Sequence, residues 1–222
     1  MTRVFAILCA VVILVIGAKV YMSQPGPAVT DALIGSANAQ ETADIDTSTI
    51  PDMVQGAEDA PITMIEYASY TCPHCAAFHA GPYQEIKKNY IDTGKVKLIY
   101  REVYFDRYGL WGSMVARCGG PDKFFGITDL IFKGQSDWAK LGTPTEIVDA
   151  FKKIGRLAGI SDEELNACLQ DGEQAQTLVA WYQENAEEHD VTGTPSFVIN
   201  GEKVGNQSYA EFEALFEAEL AK

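Results

Sequence analysis

A chain of 222 residues that is 47% hydrophobic and carries 19 glycines and 9 prolines has the composition of a folded globular protein, not of a disordered tail. Its formal charge of -14 leaves no broad basic surface for phosphates, which argues against nucleic-acid binding. The length suits one core with room for an inserted subdomain.

Arg3 is followed by an uninterrupted apolar run from Val4 to Ala18, the charged start and apolar middle of an export signal. The run falls short of the ~20 residues of a comfortable membrane span, although Val20, Tyr21 and Met22 extend it past Lys19. Ala37-Asn38-Ala39 supplies a small-residue cleavage site, set well beyond the run. Residues 1–22 therefore read as a signal peptide or as a membrane anchor, with both alternatives open, and Cys9 within them as an apolar filler. Residues 23–50 are rich in Ala, Thr, Ser, Gly, Pro and Asp without an apolar period, and read as a flexible spacer. The folded domain is expected over residues 51–222.

Ile62 to Tyr67 reads as a buried strand, followed by a turn and a helix from Cys72 to about Tyr90, bent at Gly81-Pro82. Val96 to Tyr100 reads as a second strand, giving a β-α-β unit whose strands run parallel. From about residue 108 to 188 the pattern is helical, broken at Gly119-Gly120-Pro121, Gly134 to Pro144, Gly159 to Ser161 and Asp171-Gly172. Ser196 to Ile199, a turn at Asn200-Gly201 and a short strand around Lys203-Val204 form a hairpin. A last amphipathic helix runs from Ser208 to Leu220, with Phe212, Leu215, Phe216 and Leu220 on one face. The acidic residues Glu184, Glu187, Glu188, Glu211, Glu213, Glu217 and Glu219 solvate helix faces.

A Cys-x-x-Cys pair alone is a weak signal, but Cys72-Pro73-His74-Cys75 follows a strand directly and opens a helix. Pro73 suits the first helical position, where its missing N–H costs nothing. Cys72 then caps the helix, and its sulfur faces free N–H groups and the positive end of the helix dipole, which favour thiolate over thiol. An exposed, acidic Cys72 attacks and a shielded Cys75, one turn further in, resolves the mixed disulfide. His74, when charged or donating a hydrogen bond, adds to the thiolate's stability and makes the pair a stronger oxidant. His79, one turn past Cys75, reads as a helix-surface residue.

Gly193-Thr194-Pro195 leads into the Ser196 strand. Together with Cys-Pro-His-Cys it resembles the thioredoxin superfamily and, more closely, the DsbA family of bacterial thiol oxidases, over roughly Pro51 to Lys222. The resemblance implies an α/β thioredoxin fold with an inserted helical subdomain. It implies that Pro195 is cis and that Thr194 and Pro195 face the active-site sulfurs and pair with an extended substrate backbone. Glu66 matches the family's buried acid near the resolving cysteine, where it relays the proton of Cys75. Where such strands often carry a lysine partner for that acid, this sequence has Tyr100 with Arg101 beside it, and the two side chains point to opposite faces. Thr194 stands where the best-known oxidases have valine and also occurs in isomerase-like and reductase-like relatives.

Cys118 and Cys168 lie in the helical insertion and, in an oxidising compartment, are expected to pair as a structural disulfide, with two buried free thiols as the alternative. The expected activity is oxidation of reduced exported proteins in the periplasm by a monomer, with the N-terminal segment as a possible tether to the inner membrane. No cofactor is expected beyond the dithiol, and reoxidation falls to a DsbB-like membrane partner by resemblance. An isomerase or reductase is the alternative within the superfamily. A copper or zinc module using Cys72, Cys75 and His79 or His74 is disfavoured by Pro73 and the helix start.

Overall fold

The structure is a computed structural model that describes residues 45–222. The signal peptide or anchor expected over residues 1–22, and the spacer up to residue 44, lie outside the described residues. Among the described residues no helix is long and apolar enough to cross a membrane.

Five strands form one mixed sheet in the order β1-β3-β2-β4-β5. Strands β2 (Ile62–Ala68) and β3 (Val96–Glu102) are parallel, joined through helix α1 (Pro73–Ala80), helix α2 (Pro82–Ile86) and a π-helical turn over Lys87–Ile91. The bend expected at Gly81-Pro82 separates α1 from α2, because Pro82 takes the first position of the new helix and offers no N–H to the old one. On the far edge β4 (Ser196–Ile199) pairs antiparallel with β2 and turns back as β5 (Glu202–Val204). Asn200 and Gly201 both adopt positive φ in that turn, a conformation that suits this residue pair. The edge strand β1 (Met53–Gln55), antiparallel to β3, is too short to leave a pattern in the sequence; its pairing with β3 holds it in place.

Side chains at Ile62 and Met64 of β2 and Leu98 of β3 meet Phe78, Ile86, Phe212 and Phe216, so α1, α2 and the last helix α9 (Tyr209–Leu220) cover one face of the sheet. Ser208 caps α9 in a reciprocal box with Glu211, as serine and glutamate three residues apart do. Between β3 and β4 lies the helical insertion, helices α3 (Arg107–Cys118), α4 (Gly120–Lys133), α5 (Gln135–Trp138), α6 (Pro144–Leu157), α7 (Asp162–Gln170) and α8 (Gly172–Glu188). Its core, with Val115, Phe124, Ile131, Phe151 and Leu165, is continuous with Tyr70, Cys75 and Tyr100. A thioredoxin-like sheet with an inserted helical subdomain is therefore the observed architecture.

The folded part starts before Pro51. Asp46 caps a short 3-10 turn at Thr47–Thr49, and Ile50 is buried against Met114, Leu178 and Trp181. Thr47 Oγ1 also donates to Glu184 at 2.6 Å, so residues 46–50, which the sequence places at the end of the spacer, pack on the helical insertion.

Two covalent or charged ties hold the insertion to itself and to the sheet. Cys118 at the end of α3 and Cys168 in α7 are joined in a disulfide with Cα atoms 5.9 Å apart. Closing a loop of 50 residues is worth roughly 4 kcal/mol in the chain-entropy model. The Cys118→Ala, Cys168→Ala double variant should therefore unfold at a lower temperature yet still react through Cys72, as a thermal melt and a dithiol-transfer assay on the same protein would report. An unchanged melt would contradict the stabilising role.

At the end of β3, buried Glu102 receives Arg117 in a two-pronged pair, Nε to Oε1 at 2.7 Å and Nη2 to Oε2 at 2.6 Å. Ser113 Oγ donates to the same carboxylate at 2.8 Å, and Arg117 Nη1 donates to the Pro51 carbonyl at 3.0 Å. Arg117→Ala leaves a buried carboxylate without its counter-charge and should cost about 3–5 kcal/mol in denaturant unfolding. A loss below about 1 kcal/mol would mean the pair is no more than a surface-type bridge.

Candidate active site

The chain leaves β2 at Ala68 and passes through the buried Ser69 and Tyr70 before Cys72 caps α1. Cys72 has extended backbone angles (φ -83°, ψ 117°) and Pro73 occupies the first turn. Two hydrogen bonds from one side chain fix this approach: Gln135 Nε2, from α5, donates to the Tyr70 carbonyl at 2.7 Å and to the Cys72 carbonyl at 2.9 Å. Gln135 was not legible as a site residue in the sequence, since nothing local marks a glutamine that reaches back from the insertion.

Cys72 and Cys75 are free thiols in this structure. Opposite them, Thr194-Pro195 is a cis peptide, and Cys72 Sγ donates to the Thr194 carbonyl at 3.3 Å. The Thr194 hydroxyl is buried beside the sulfurs and committed to no other group. This loop covers the first cysteine: Cys72 is only 8% exposed, and Cys75 is fully enclosed. The expectation of an openly exposed Cys72 is therefore corrected. A helix cap presents its sulfur to solvent only if nothing lies across it, and here the Thr194 loop does.

The two thiols are driven apart in acidity. The Cys75 thiol, as hydrogen-bond donor, pulls Cys72 down to about 5; burial opposes it, and the Thr194 side chain and the backbone N–H groups of Cys75 and His74 assist. Burial, and the proton Cys75 lends to Cys72, push Cys75 far above the usual thiol range. Pro73 and His74 are exposed. His74 reaches the thiolate through its backbone N–H, and among the described residues its ring makes no hydrogen bond.

Glu66 is fully buried in the centre of β2, opposite Tyr100 on one side and Phe197 on the other. Its partner is His79: Nε2 lies 3.0 Å from Glu66 Oε1. The reading of His79 as a surface residue is overturned, since it is 3% exposed and ring-stacked on Phe132. The signal was present, because a residue four after an inward Cys75 shares its helix face. Arg101 points to the other face of the sheet, where its guanidinium holds both oxygens of Asp52 at 2.9 and 3.0 Å.

A dithiol at a helix start, facing a cis-proline loop on a sheet of this topology, defines a DsbA-like protein of the thioredoxin superfamily. The family model described as thioredoxin matches residues 48–218, and the chain belongs to that family. Among similar proteins, a putative protein-disulfide oxidoreductase of Rickettsia bellii is 37% identical over 164 residues, which is 73% of this chain and 62% of the relative. The chain thus spans less than two thirds of that relative's length. Disulfide bond formation protein D of Bacillus subtilis is 27% identical over 176 residues, covering 75% of this chain and 76% of that protein. The crystal structure of Wolbachia pipientis alpha-DsbA1 superposes with a TM-score of 0.70 at 26% identity, covering 78% of this chain and 94% of that one. That of BdbD from Bacillus subtilis, in its oxidised form, gives 0.66 at 26% identity, covering 77% and 94%.

Proposed function

We propose that this chain is a protein thiol-disulfide oxidoreductase that introduces disulfides into exported proteins through Cys72 and Cys75. The observation that carries this reading is the placement of Cys72 at the cap of α1 against the cis Thr194-Pro195 loop, with Cys75 fully enclosed one helical turn further in. In the oxidised enzyme a substrate thiolate attacks Cys72 Sγ, the Cys72–Cys75 bond breaks, and Cys75 leaves and takes up a proton. A second substrate thiolate then attacks the substrate sulfur of the mixed disulfide and expels Cys72 as a thiolate. The substrate has lost two electrons and two protons, and the enzyme holds both electrons as its dithiol. Cys72 is the better leaving group because its thiolate is stabilised, which gives the reaction its direction.

Thr194 and Pro195 form the rim over which an extended substrate segment lies, and Pro73 and His74 form the opposite, exposed rim. Glu66 serves as the buried proton acceptor and donor for Cys75. The Cys118–Cys168 disulfide is structural. The names of the relatives, a protein-disulfide oxidoreductase and a disulfide bond formation protein, support the reaction class. The apolar start of the sequence supports export to the periplasm, and a DsbB-like membrane partner would return the dithiol to the disulfide. Threonine at position 194, which also occurs before the proline in isomerase-like and reductase-like relatives, keeps the isomerase or reductase as the second reading. Incubating the oxidised protein with a reduced two-cysteine peptide decides the class of reaction. Stoichiometric peptide disulfide with loss of the Cys72–Cys75 bond is expected, and an unchanged peptide would contradict the proposal. Faster recovery of a scrambled multi-disulfide substrate than of a reduced one would move the assignment to the isomerase.

A further inference from the structure

Glu66 and His79 form a buried polar pair, with the His79 ring set among Tyr83, Tyr100 and Phe132. The 3.0 Å contact between His79 Nε2 and Glu66 Oε1 holds one bridging proton. The outer ends of the pair, His79 Nδ1 and Glu66 Oε2, are also buried and have no partner among the described residues, and the same is true of Tyr100 Oη, opposite Glu66 in the sheet. Unpaired buried polar atoms cost stability, so three of them together call for a role.

Two further observations give the pair an inside and an outside. Tyr100 shares a core cluster with Cys75, and burial first, then the charges of Tyr70, Glu66 and Cys75, push its phenol up, so both Glu66 and Cys75 lie close to it. On the other side His79 lines a surface cavity of about 90 Å³ together with Gln84, Asp129 and Lys133. Roughly 10–15 Å³ by the same measure admits a water. His79 therefore touches both the cavity and Glu66, and Glu66 stands opposite Tyr100, which shares a core cluster with Cys75.

We propose that His79 is a positioning residue that connects Glu66 to solvent, so that the proton Cys75 takes up when its sulfur leaves the active-site disulfide is replaced through the cavity. Water delivers a proton to Nδ1, the bridging proton crosses from Nε2 to the Glu66 carboxylate, and the carboxylic acid gives a proton to the departing Cys75 sulfur. The step balances: one substrate thiolate, the Cys72–Cys75 disulfide and one solvent proton yield the mixed disulfide and the Cys75 thiol. This rests on the oxidoreductase reading. The titratable groups facing His79 are Glu66 from β2, Tyr100 from β3, Tyr83 from α2, Asp129 and Lys133 from α4 and Cys75 from its own helix.

The test is the rate at which a small dithiol such as dithiothreitol reduces the oxidised full chain between pH 5 and pH 8, corrected for the dithiol's own ionisation. His79→Gln keeps an N–H for Glu66 but cannot carry a proton across, and Glu66→Gln removes the acid. Each should slow reduction roughly tenfold or more at pH 7 and flatten the remaining pH dependence, while Cys72 keeps its titration midpoint. Rates within twofold of the unsubstituted protein across the pH range, accompanied only by a lower melting temperature, would overturn the proposal. If His79→Gln does not fold, such rates for Glu66→Gln alone overturn it. An unsubstituted protein that dithiothreitol fails to reduce would instead overturn the oxidoreductase reading beneath it.

Discussion

Cys75→Ala should turn the protein from a catalyst into a trap. Exposed to a disulfide-bonded peptide, the remaining Cys72 thiolate forms a mixed disulfide, and the neighbouring thiol that would release it by intramolecular attack is gone. Well-oriented intramolecular attack carries very high effective concentrations, so release should slow by roughly 10³-fold or more. Adducts should accumulate on a non-reducing gel and vanish with reductant. Cys72→Ala should form none, because Cys75 is fully enclosed and holds its proton at neutral pH. Equal trapping by both variants, or free turnover by Cys75→Ala, would contradict the division of labour between the two sulfurs.

The second large effect is on stability. In the folded reduced protein Cys72 loses its proton near pH 5, whereas in the unfolded chain an ordinary cysteine does so near 8.5. Thiolate stabilisation of the folded dithiol form is therefore complete only above about pH 8.5 and disappears as the pH falls through 5. It is worth about 3 kcal/mol at pH 7 and nearly nothing at pH 4. Over that range Cys75 stays protonated whether folded or unfolded and adds no slope. The disulfide form has no thiol to titrate. Denaturant unfolding of both forms should thus show the reduced protein losing about 3 kcal/mol relative to the oxidised one between pH 7 and pH 4. A gap that stays constant with pH would mean Cys72 is not a stabilised thiolate.

Local motifs carried much of this into the sequence. The β-α-β unit, the cap position of Cys72, the Gly193-Thr194-Pro195 loop and the limits of the helical insertion each leave a short-range pattern of turn residues and apolar periods. What stayed hidden depends on distant partners. Strand β1 has three residues and exists through its pairing with β3. Gln135 matters through carbonyls more than 60 residues away. Strand pairing points from Glu66 to Tyr100 on the neighbouring strand, whereas its hydrogen-bond partner, His79, comes from helix α1. Helix periodicity places His79 on the same inward face as Cys75, one turn further on, but the polarity of a histidine masks that position in the sequence. The cover over Cys72 was hidden for a related reason: the loop that shields it follows 122 residues later.

The most direct test of the account is the titration of the reduced protein followed by thiolate absorbance. One thiol, Cys72, should ionise with a midpoint near pH 5, and no second thiolate should appear before the protein approaches strongly alkaline conditions. A single midpoint near 8.5, the range of a free cysteine, would contradict the claim that the fold makes Cys72 an acidic thiol and the dithiol an oxidant's resting product.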